Sequence, residues 1–324
     1  MNIGITFDLQ TDPADELQAE FDPPGTIAAL EQALAELGHA TLRLGDAQAL
    51  LAGPERLEGL DLVYNLAEGR GGRCREAWVP AWLEARGVPY VGSDALAQAI
   101  SLDKACCKQL ARGSGVATPD WMTMAHEREL EQVEQLAFPV IAKPRYGGSG
   151  QGIGPEAVAQ NARDAIAAVR RVWARWNQPC LIERFIPFGE LTVLLIGNAP
   201  PAALPAVQRP LDARTRLAWH VARASGEPAH PVELTPALEG AAQDAARRIF
   251  GVLGCRDLAR ADFRVDGAGE LWFLEINALP SLDPGGSLGL LAEYLQESYA
   301  SLIGRIVDAA LARLGRGALG GRHA

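Results

Sequence analysis

The first hundred residues alternate between strand and helix patterns, and that alternation constrains the fold more than any other feature of the chain. "NIGITFD" reads as a buried strand, Thr26–Leu37 as an Ala/Leu-rich helix stopped by Gly38, and "ATLRLGD" as a strand. "DLVYNLA", a helix over Arg75–Arg86 stopped by Gly87, and "VPYVGS" repeat the pattern. Strands separated by helices run in the same direction, so a parallel sheet with helices on its faces is expected. Ser101–Gly113 reads as a linking helix. "DWMTM", a helix over Glu127–Ala137, "PVIAKP", a glycine-rich loop, a helix around Asn161–Trp176 and "PCLIERFI" then form a smaller α+β unit. From Gly189 strands dominate: "ELTVLLIGN", "AALPAVQ" and "RLAWHVAR". A helix over Pro236–Leu253, a hairpin, a helix over Tyr294–Leu314 and a loose tail, "GRGALGGRHA", complete the chain. Breaks in composition at "AISLDK" and "PFGE" divide it into 1–100, 101–186 and 187–324.

The 324 residues leave room for two or three domains, and 48% hydrophobic with 22% charged residues is the composition of a soluble globular protein. A net charge of −10 argues against a nucleic-acid partner and leaves any phosphate ligand in need of cations. No uncharged apolar run approaches the ~18 residues of a membrane helix. "MNIGITFD" starts directly as a strand, so neither membrane nor signal peptide is expected. Five cysteines without a CxxC pair suggest neither a disulfide framework nor a zinc site, and fit a reducing cytoplasm.

"RADFRVDGAGELWFLEIN" (Arg260–Asn277) reads as two strands joined by a tight turn. Side chains alternate between faces, so Arg260, Asp262 and Arg264 share one face. Leu271, Phe273, Glu275 and Asn277 share a face of the second strand. With Ala268-Gly269 as a two-residue turn, Asp262 lies opposite Glu275 and Arg260 opposite Asn277. Facing carboxylates repel unless something lies between them. Two readings fit: a structural ion cluster with Arg260, or a divalent-cation site built from Asp262, Glu275 and Asn277, whose oxygens are hard ligands.

"AKPRYGGSGQGIG" (Ala142–Gly154) follows a strand and precedes a helix. It is neither a P-loop nor a GxGxxG turn, yet its glycines allow backbone N–H groups to cradle phosphate. Read without context it is a mobile loop. Lys143 ends an apolar strand, where a lone lysine is costly without an anionic partner. Lys104 stands at a helix start and reads equally as a solvated lysine. In "LIERFIPFGELTV", Glu183 interrupts an apolar strand and Glu190 begins the next, as acceptors for an adenine amino group or a ribose hydroxyl, or as salt-bridge partners.

Together these segments resemble the ATP-grasp superfamily, specifically D-alanine–D-alanine ligase and its relatives. "GVPYVGSDALAQAISLDKACCKQLARGSGVATP", "FPVIAKPRYGGSGQGIG", "LIERFIPFGELTV" and "LARADFRVDGAGELWFLEINALPSL" follow in family order over most of Gly87 to Leu282. The resemblance implies an ATP-grasp fold of three domains: an N-terminal parallel βαβ (Rossmann-like) α/β domain, a central α+β domain and a C-terminal α+β domain, with ATP between the last two. It implies phosphate-binding Lys104 and Lys143, a lid of Gly147, Gly148 and Ser149, nucleotide contacts from Glu183, Arg184, Ile186 and Glu190, and metal ligands Asp262, Glu275 and Asn277. Two Mg²⁺ ions, or Mn²⁺, are the implied metals. Arg260, Ser149 and Ser281 are the implied catalytic residues, and Glu76, Arg145, Ser287 and Leu288 the substrate-binding ones. The implied activity is ATP-dependent coupling of a carboxylate to an amine through an acyl phosphate, with ADP and phosphate as products. Expected partners are small amino-acid-like molecules, with a homodimer as the candidate assembly.

The departures cluster around the amino-acid pockets. The N-terminal segment "TFDLQTDPADELQAEFDPPGT" is longer and more acidic than the family's Gly-Gly-x-Ser-x-Glu signature. "NLAEGRGGRCREA" carries Glu68 and Glu76 but no histidine. "QRPLDARTRLAWH" has no lysine, leaving Arg214 or Arg216 as substitutes, although arginine and lysine differ in reach and geometry. Ser281 stands where the family has an oxyanion-hole glycine. Activation chemistry with substrates other than D-alanine is therefore expected. The alternatives are authentic D-alanine–D-alanine ligation and a non-catalytic nucleotide-binding regulator.

Overall fold

The computed structural model describes residues 1–218, 228–229 and 232–315. The expected strand "RLAWHVAR" runs past residue 218, and the tail "GRGALGGRHA" past residue 315, so most of each lies outside the described residues.

Strands β1 (Asn2–Phe7), β2 (Ala40–Gly45), β3 (Leu62–Leu66) and β4 (Tyr90–Val91) form a parallel sheet ordered β2-β1-β3-β4. Parallel neighbours need crossovers, supplied by α1 (Pro24–Glu36), α2 (Ala47–Ala52) and α3 (Trp78–Arg86). Gly87 ends α3 in the left-handed conformation (φ 65°) that glycine adopts without steric cost. Helices α4 (Ala95–Leu102) and α5 (Lys104–Gly113) lead to the second sheet. There β5 (Trp121–Met124), β6 (Val140–Pro144), β7 (Val158–Ala159) and β8 (Cys180–Arg184) pair antiparallel in the order β5-β8-β6-β7. Helix α6 (Ala162–Trp176) covers one face, burying Ala165, Ala168, Val169 and Val172 at helical spacing.

The third sheet is built on β9 (Gly189–Ile196), joined by β10 (Ala202–Ala203) and β11 (Val207–Gln208). "AALPAVQ" gives two short strands rather than one, since Pro205 lies between them and has no N–H to donate. β12 (Leu211–Asp212) and β13 (Pro228–Ala229) pair separately. After α7 (Pro236–Leu253) come β14 (Leu258–Val265) and β15 (Leu271–Asn277), then α8 (Ser287–Leu295) and α9 (Tyr299–Arg313). Strand alternation gives this sheet two chemical faces. Leu191, Val193, Leu195, Ala261, Phe263 and Val265 pack with Ala246, Ile249 and Phe250 of α7. Glu190, Thr192, Arg260, Asp262 and Arg264 line a cavity on the other face. Residues Leu302, Ile303 and Ile306 of α9 share a core with Ile3, Ile5, Leu30 and Tyr64, so the last helix completes the core of the first sheet.

The structure corrects several local expectations. The hairpin turn is not the two residues Ala268-Gly269. Asp266 and Glu270 close a three-residue loop, the Asp266 N–H donating to the Glu270 carbonyl at 3.0 Å. The register nevertheless pairs Asp262 with Glu275 and Arg260 with Asn277, because a bulge at Leu274 absorbs one residue between the Asp262–Glu275 and Phe263–Phe273 pairs. The bulge also breaks the alternation: Phe273 turns into the core beside Ile276 and does not share a face with Glu275. The linking helix is divided at Asp103, whose extended backbone and carboxylate cap α5 by accepting from Ala105 and Cys106 N–H at 3.1 and 3.2 Å. The last helix is divided at Gln296, left-handed at φ 56°, with Ser298 capping α9. Glu127–Ala137 is a 3₁₀ helix over Glu127–Gln135.

Candidate active site

The expected site residues meet between the second and third sheets. A cavity of about 410 Å³ is lined by Lys143, Glu183, Arg184 and Ile186 from the central unit. Glu190, Arg260, Asp262, Glu275, Asn277 and Ser281 line its opposite wall, with Ser287 at the start of α8. Its size lies within the ~300–1,000 Å³ of small-molecule sites. Ser149 lines this cavity too. Glu76, Lys104, Gly147 and Gly148 lie beside it, around a smaller cleft that also borders Ser149 and Glu275.

β14 aims Arg260 and Asp262 into the cavity, and the bulge in β15 re-aims Glu275 and Asn277 to meet them. Arg260 Nη2 donates to Asp262 Oδ2 at 2.9 Å, and Thr192 Oγ1 donates to Asp262 Oδ1 at 2.8 Å. Lys104 Nζ lies 3.0 Å from Glu275 Oε2 and also bonds the Gly147 carbonyl, joining the metal-site candidate to the lid. Burial pushes the Glu275 carboxyl up, but Lys104, Lys143 and Arg260 outweigh it and bring its pKa down to about 2. Glu275 is therefore ionised throughout the physiological range. Both readings of the hairpin thus have a structural basis: the ion cluster with Arg260 exists, and its carboxylates, with the Asn277 amide, offer hard oxygens to a cation. Leu279 N–H occupies the Asn277 Oδ1 at 2.8 Å, leaving its second lone pair for a ligand.

Glu183 lies between Lys143 at 2.6 Å and Lys108 at 2.5 Å, all three buried. Burial raises the Glu183 carboxyl, the two lysines lower it further, and the net shift is downward. Two ammonium groups to one carboxylate leave a positive charge uncompensated where Lys143 borders the cavity. Lys108, fully buried, also donates to Thr118 Oγ1 at 2.8 Å, and burial lowers its pKa to about 8. Lys108 is not among the expected site residues; its one signal in the sequence is that a lysine four residues after Lys104 on a helix shares its face. Glu190 pairs with Arg264 at 3.1 Å. The Arg184 guanidinium lies over the Trp272 ring, 4.1 Å from its centroid.

The substrate end differs more from expectation. Arg145 does not line the cavity, because its guanidinium holds the Asp103 carboxylate through two bonds of 2.7 and 2.8 Å. The Leu288 side chain is buried in the core of the first sheet and α9, leaving only its backbone for substrate. Arg214 is exposed, and the Arg216 carbonyl accepts from Arg264 Nη1 at 2.9 Å. The arginine of that loop that lines the cavity is Arg209, bonded to Ser287 Oγ. Glu20 is a further residue missed within the acidic N-terminal segment. It binds Arg75 Nη2 at 2.7 and 2.8 Å and accepts from the lid's Gly148 N–H at 2.5 Å.

Glu20, Glu68 and Glu76 each bring one carboxylate oxygen within 4.8 Å of the others. Burial, ahead of the opposing Arg75 charge, raises Glu76 to about 8, and burial together with Glu76 raises Glu68 well above its ordinary value. The folded protein thus retains a Glu76 proton that the unfolded chain releases near pH 4.5. Stability is fully present below that pH and falls as pH rises through about 8. Glu76→Gln, which has no proton to lose, should melt above wild type at pH 9, with the gap closing by pH 4.5. An equal gap at both values would contradict this assignment.

A family model described as D-ala D-ala ligase C-terminus matches residues 110–308. The chain belongs to the D-alanine–D-alanine ligase family. It is 32% identical over 292 residues to a D-alanine–D-alanine ligase of Synechococcus sp. (strain JA-3-3Ab), covering 88% of each chain. It is 35% identical over 312 residues to an uncharacterized protein, y4sG, of Sinorhizobium fredii, covering 92% of this chain and 91% of that one. Among solved structures, a D-alanine–D-alanine ligase of Bacillus anthracis superposes with a TM-score of 0.78 at 23% identity, over 98% of this chain and all of that one. The VanG D-Ala:D-Ser ligase of Enterococcus faecalis gives 0.75 at 17% identity, over 95% and 99%. The fold is ATP-grasp. As a D-alanine–D-alanine ligase family member, the chain is an ATP-dependent carboxylate–amine ligase, and the non-catalytic alternative is not retained. No helix among the described residues is long and apolar enough to cross a membrane.

Proposed function

We propose that this ligase phosphorylates the carboxylate of one amino-acid substrate with ATP and couples it to the amine of a second, and that D-alanine with D-alanine is not its preferred pair. The supporting observation is the convergence of Lys104, Lys143, Arg260, Asp262, Glu275 and Asn277 on adjoining cavities, with Glu275 ionised. In this reading Lys104 and Lys143 hold phosphate oxygens, and Arg260 lies beside the transferred phosphoryl group. Glu190, Glu183 and the backbone of Arg184 and Ile186 border the nucleoside. Asp262, Glu275 and Asn277 would hold two divalent ions, Mg²⁺ or its substitute Mn²⁺, whose chemistry is to neutralise phosphoryl charge. Ser149 and the glycines of the lid cover the acyl phosphate and exclude water, which would otherwise hydrolyse it. The Ser281 backbone N–H is the candidate oxyanion donor, with Ser287 and the Leu288 backbone at the acceptor carboxylate. In the same reading 1–100, 101–186 and 187–324 are the three domains, and the protein works in the cytoplasm, its five cysteines free.

Authentic D-alanine–D-alanine ligation is the second reading, favoured by the activity named for the Synechococcus relative. Against it stand a segment with Glu68 and Glu76 but no histidine, Ser281 in place of a glycine, and a lysine-free loop contributing Arg209. A panel of donor and acceptor amino acids, scored by phosphate release with mass spectrometry of products, separates the two. The expected result is an amide product, with another pair exceeding D-alanine–D-alanine in kcat/KM. A wide margin in favour of D-alanine–D-alanine would overturn the preference while leaving the ligase chemistry intact.

A further inference from the structure

A second cavity, of about 560 Å³, opens between the N-terminal loop, the glycine-rich loop after β3 and the lid. Phe21, Arg70, Arg73, Tyr146 and Gln151 line it, and Glu20 lines both this cavity and the reaction cavity. An alanine side chain has no use for such a volume.

The arginines of this region fall into two groups. Arg75 is buried, its Nη2 donating to both Glu20 oxygens, and Arg145 holds Asp103 through Nε and Nη2. Each is committed to a carboxylate whose charge offsets its own. Arg70 and Arg73 are different: their side chains are 62% and 61% exposed. Their nearest carboxylate oxygens, on Asp8 and Asp103, lie 3.6 Å away, beyond good hydrogen-bond distance. Arg145 holds both Asp103 oxygens and the Gly69 N–H holds Asp8 Oδ2, while the buried Asp8 Oδ1 keeps Arg70 as a loose ion-pair partner. Each of these loosely paired guanidinium groups is oriented by an aromatic face, Arg70 over Phe21 at 4.7 Å and Arg73 over Tyr146 at 5.7 Å. Stacking leaves the N–H edges of the fork available, and that edge matches a carboxylate in bidentate geometry. The acidic groups lining this cavity are already engaged. Asp15 accepts from the Leu17 N–H at 3.0 Å, and Glu20 is taken by Arg75 and Gly148.

We propose that this cavity is a carboxylate-binding extension of the amino-acid site, so that one substrate carries a second, distal carboxylate, as an acidic amino acid or a short acidic peptide does. The proposal rests on the ligase reading, which supplies the amino-acid site being extended. In a chain of net charge −10, a pair of under-used arginines beside the reaction cavity selects for an anionic group at that place.

The test is calorimetry on the full chain with a non-hydrolysable ATP analogue present, using D-glutamate, L-glutamate, a diglutamate peptide and D-alanine as probes. At least one acidic probe should bind tenfold or more tighter than D-alanine. The double variant Arg70→Ala/Arg73→Ala should lose that advantage, with its affinity for the ATP analogue unchanged. Both side chains are largely exposed, but Arg70 faces the buried Asp8 carboxylate, so a thermal melt and the ATP affinity together check folding. Equal binding of acidic probes and D-alanine to wild type, or undiminished acidic binding by the double variant, would overturn the extension. ADP release with an added amine separates this proposal from the one beneath it. Arginine-dependent binding without ADP from any pair supports the extension and sinks the ligase reading. ADP formation without selective acidic binding does the reverse.

Discussion

Glu275→Gln and Asp262→Asn should each lower kcat by at least ~10²–10³, the scale of losing one preorganised charge-stabilising group, while the protein stays folded. The expectation follows from the hairpin. Its bulge brings two carboxylates opposite one another on a cavity wall, an arrangement that repels unless cations intervene. In the present structure Lys104 and Arg260 provide that charge. An ionised carboxylate offers a divalent ion a charged oxygen, whereas the isosteric amide offers only a neutral one. The fold should survive because the amides retain the shape, and the amide oxygen introduced at position 262 can still accept from Thr192. Turnover at saturating ATP, measured across a Mg²⁺ titration beside a thermal melt, provides the check. Near-normal rates for both variants at low Mg²⁺ would remove the metal assignment.

Lys143→Ala should weaken binding of a non-hydrolysable ATP analogue at least tenfold, about 1.4 kcal/mol, without a comparable loss of stability. Lys104→Ala should likewise weaken it, since Lys104 joins Glu275 to the lid carbonyl of Gly147. The reason lies in the Lys108–Glu183–Lys143 cluster. Removing Lys143 leaves Lys108 to neutralise Glu183, so the buried charges still balance. Glu183→Ala would instead leave two buried ammonium groups without a counter-charge, and should cost about 3–5 kcal/mol of stability. Calorimetry and melting of the variants separate the roles. Unchanged ATP affinity and rate in Lys143→Ala would make that lysine purely structural.

Much of this was legible in the sequence because strands carry chemistry with period two. Acidic and basic residues on strands otherwise built from Phe, Val, Leu and Ile mark a polar face, and β9 and β14 present such a face to the cavity. The Asp262–Glu275 register holds because two departures compensate, a turn one residue longer than expected and a bulge that restores the count. A bulge is a tertiary accommodation, and nothing in "GELWFLEIN" announces that Leu274 rather than Phe273 turns to the cavity. Helix boundaries failed where side-chain capping intervened: Asp103 both ends one helix and starts the next. Partners distant in sequence were not legible at all. Glu20 meets Gly148 across 128 positions, and Arg209 meets Ser287 across 78. The same limitation applies to Arg145, expected at a substrate, and to Arg73, which the fold places at a cavity. Only the fold reveals that Asp103 engages the first closely and the second loosely.

The central claim is that a carboxylate oxygen attacks the terminal phosphoryl group of ATP before an amine displaces it. Isotope transfer tests this directly. With the preferred donor amino acid labelled with ¹⁸O in its carboxylate, one carboxylate oxygen bridges to phosphorus in the acyl phosphate and departs with it when the amine attacks. The other remains in the amide. Mass spectrometry of the released phosphate should therefore find one ¹⁸O per molecule, matched by one amide and one ADP. Unlabelled phosphate, or AMP with pyrophosphate, would contradict the account.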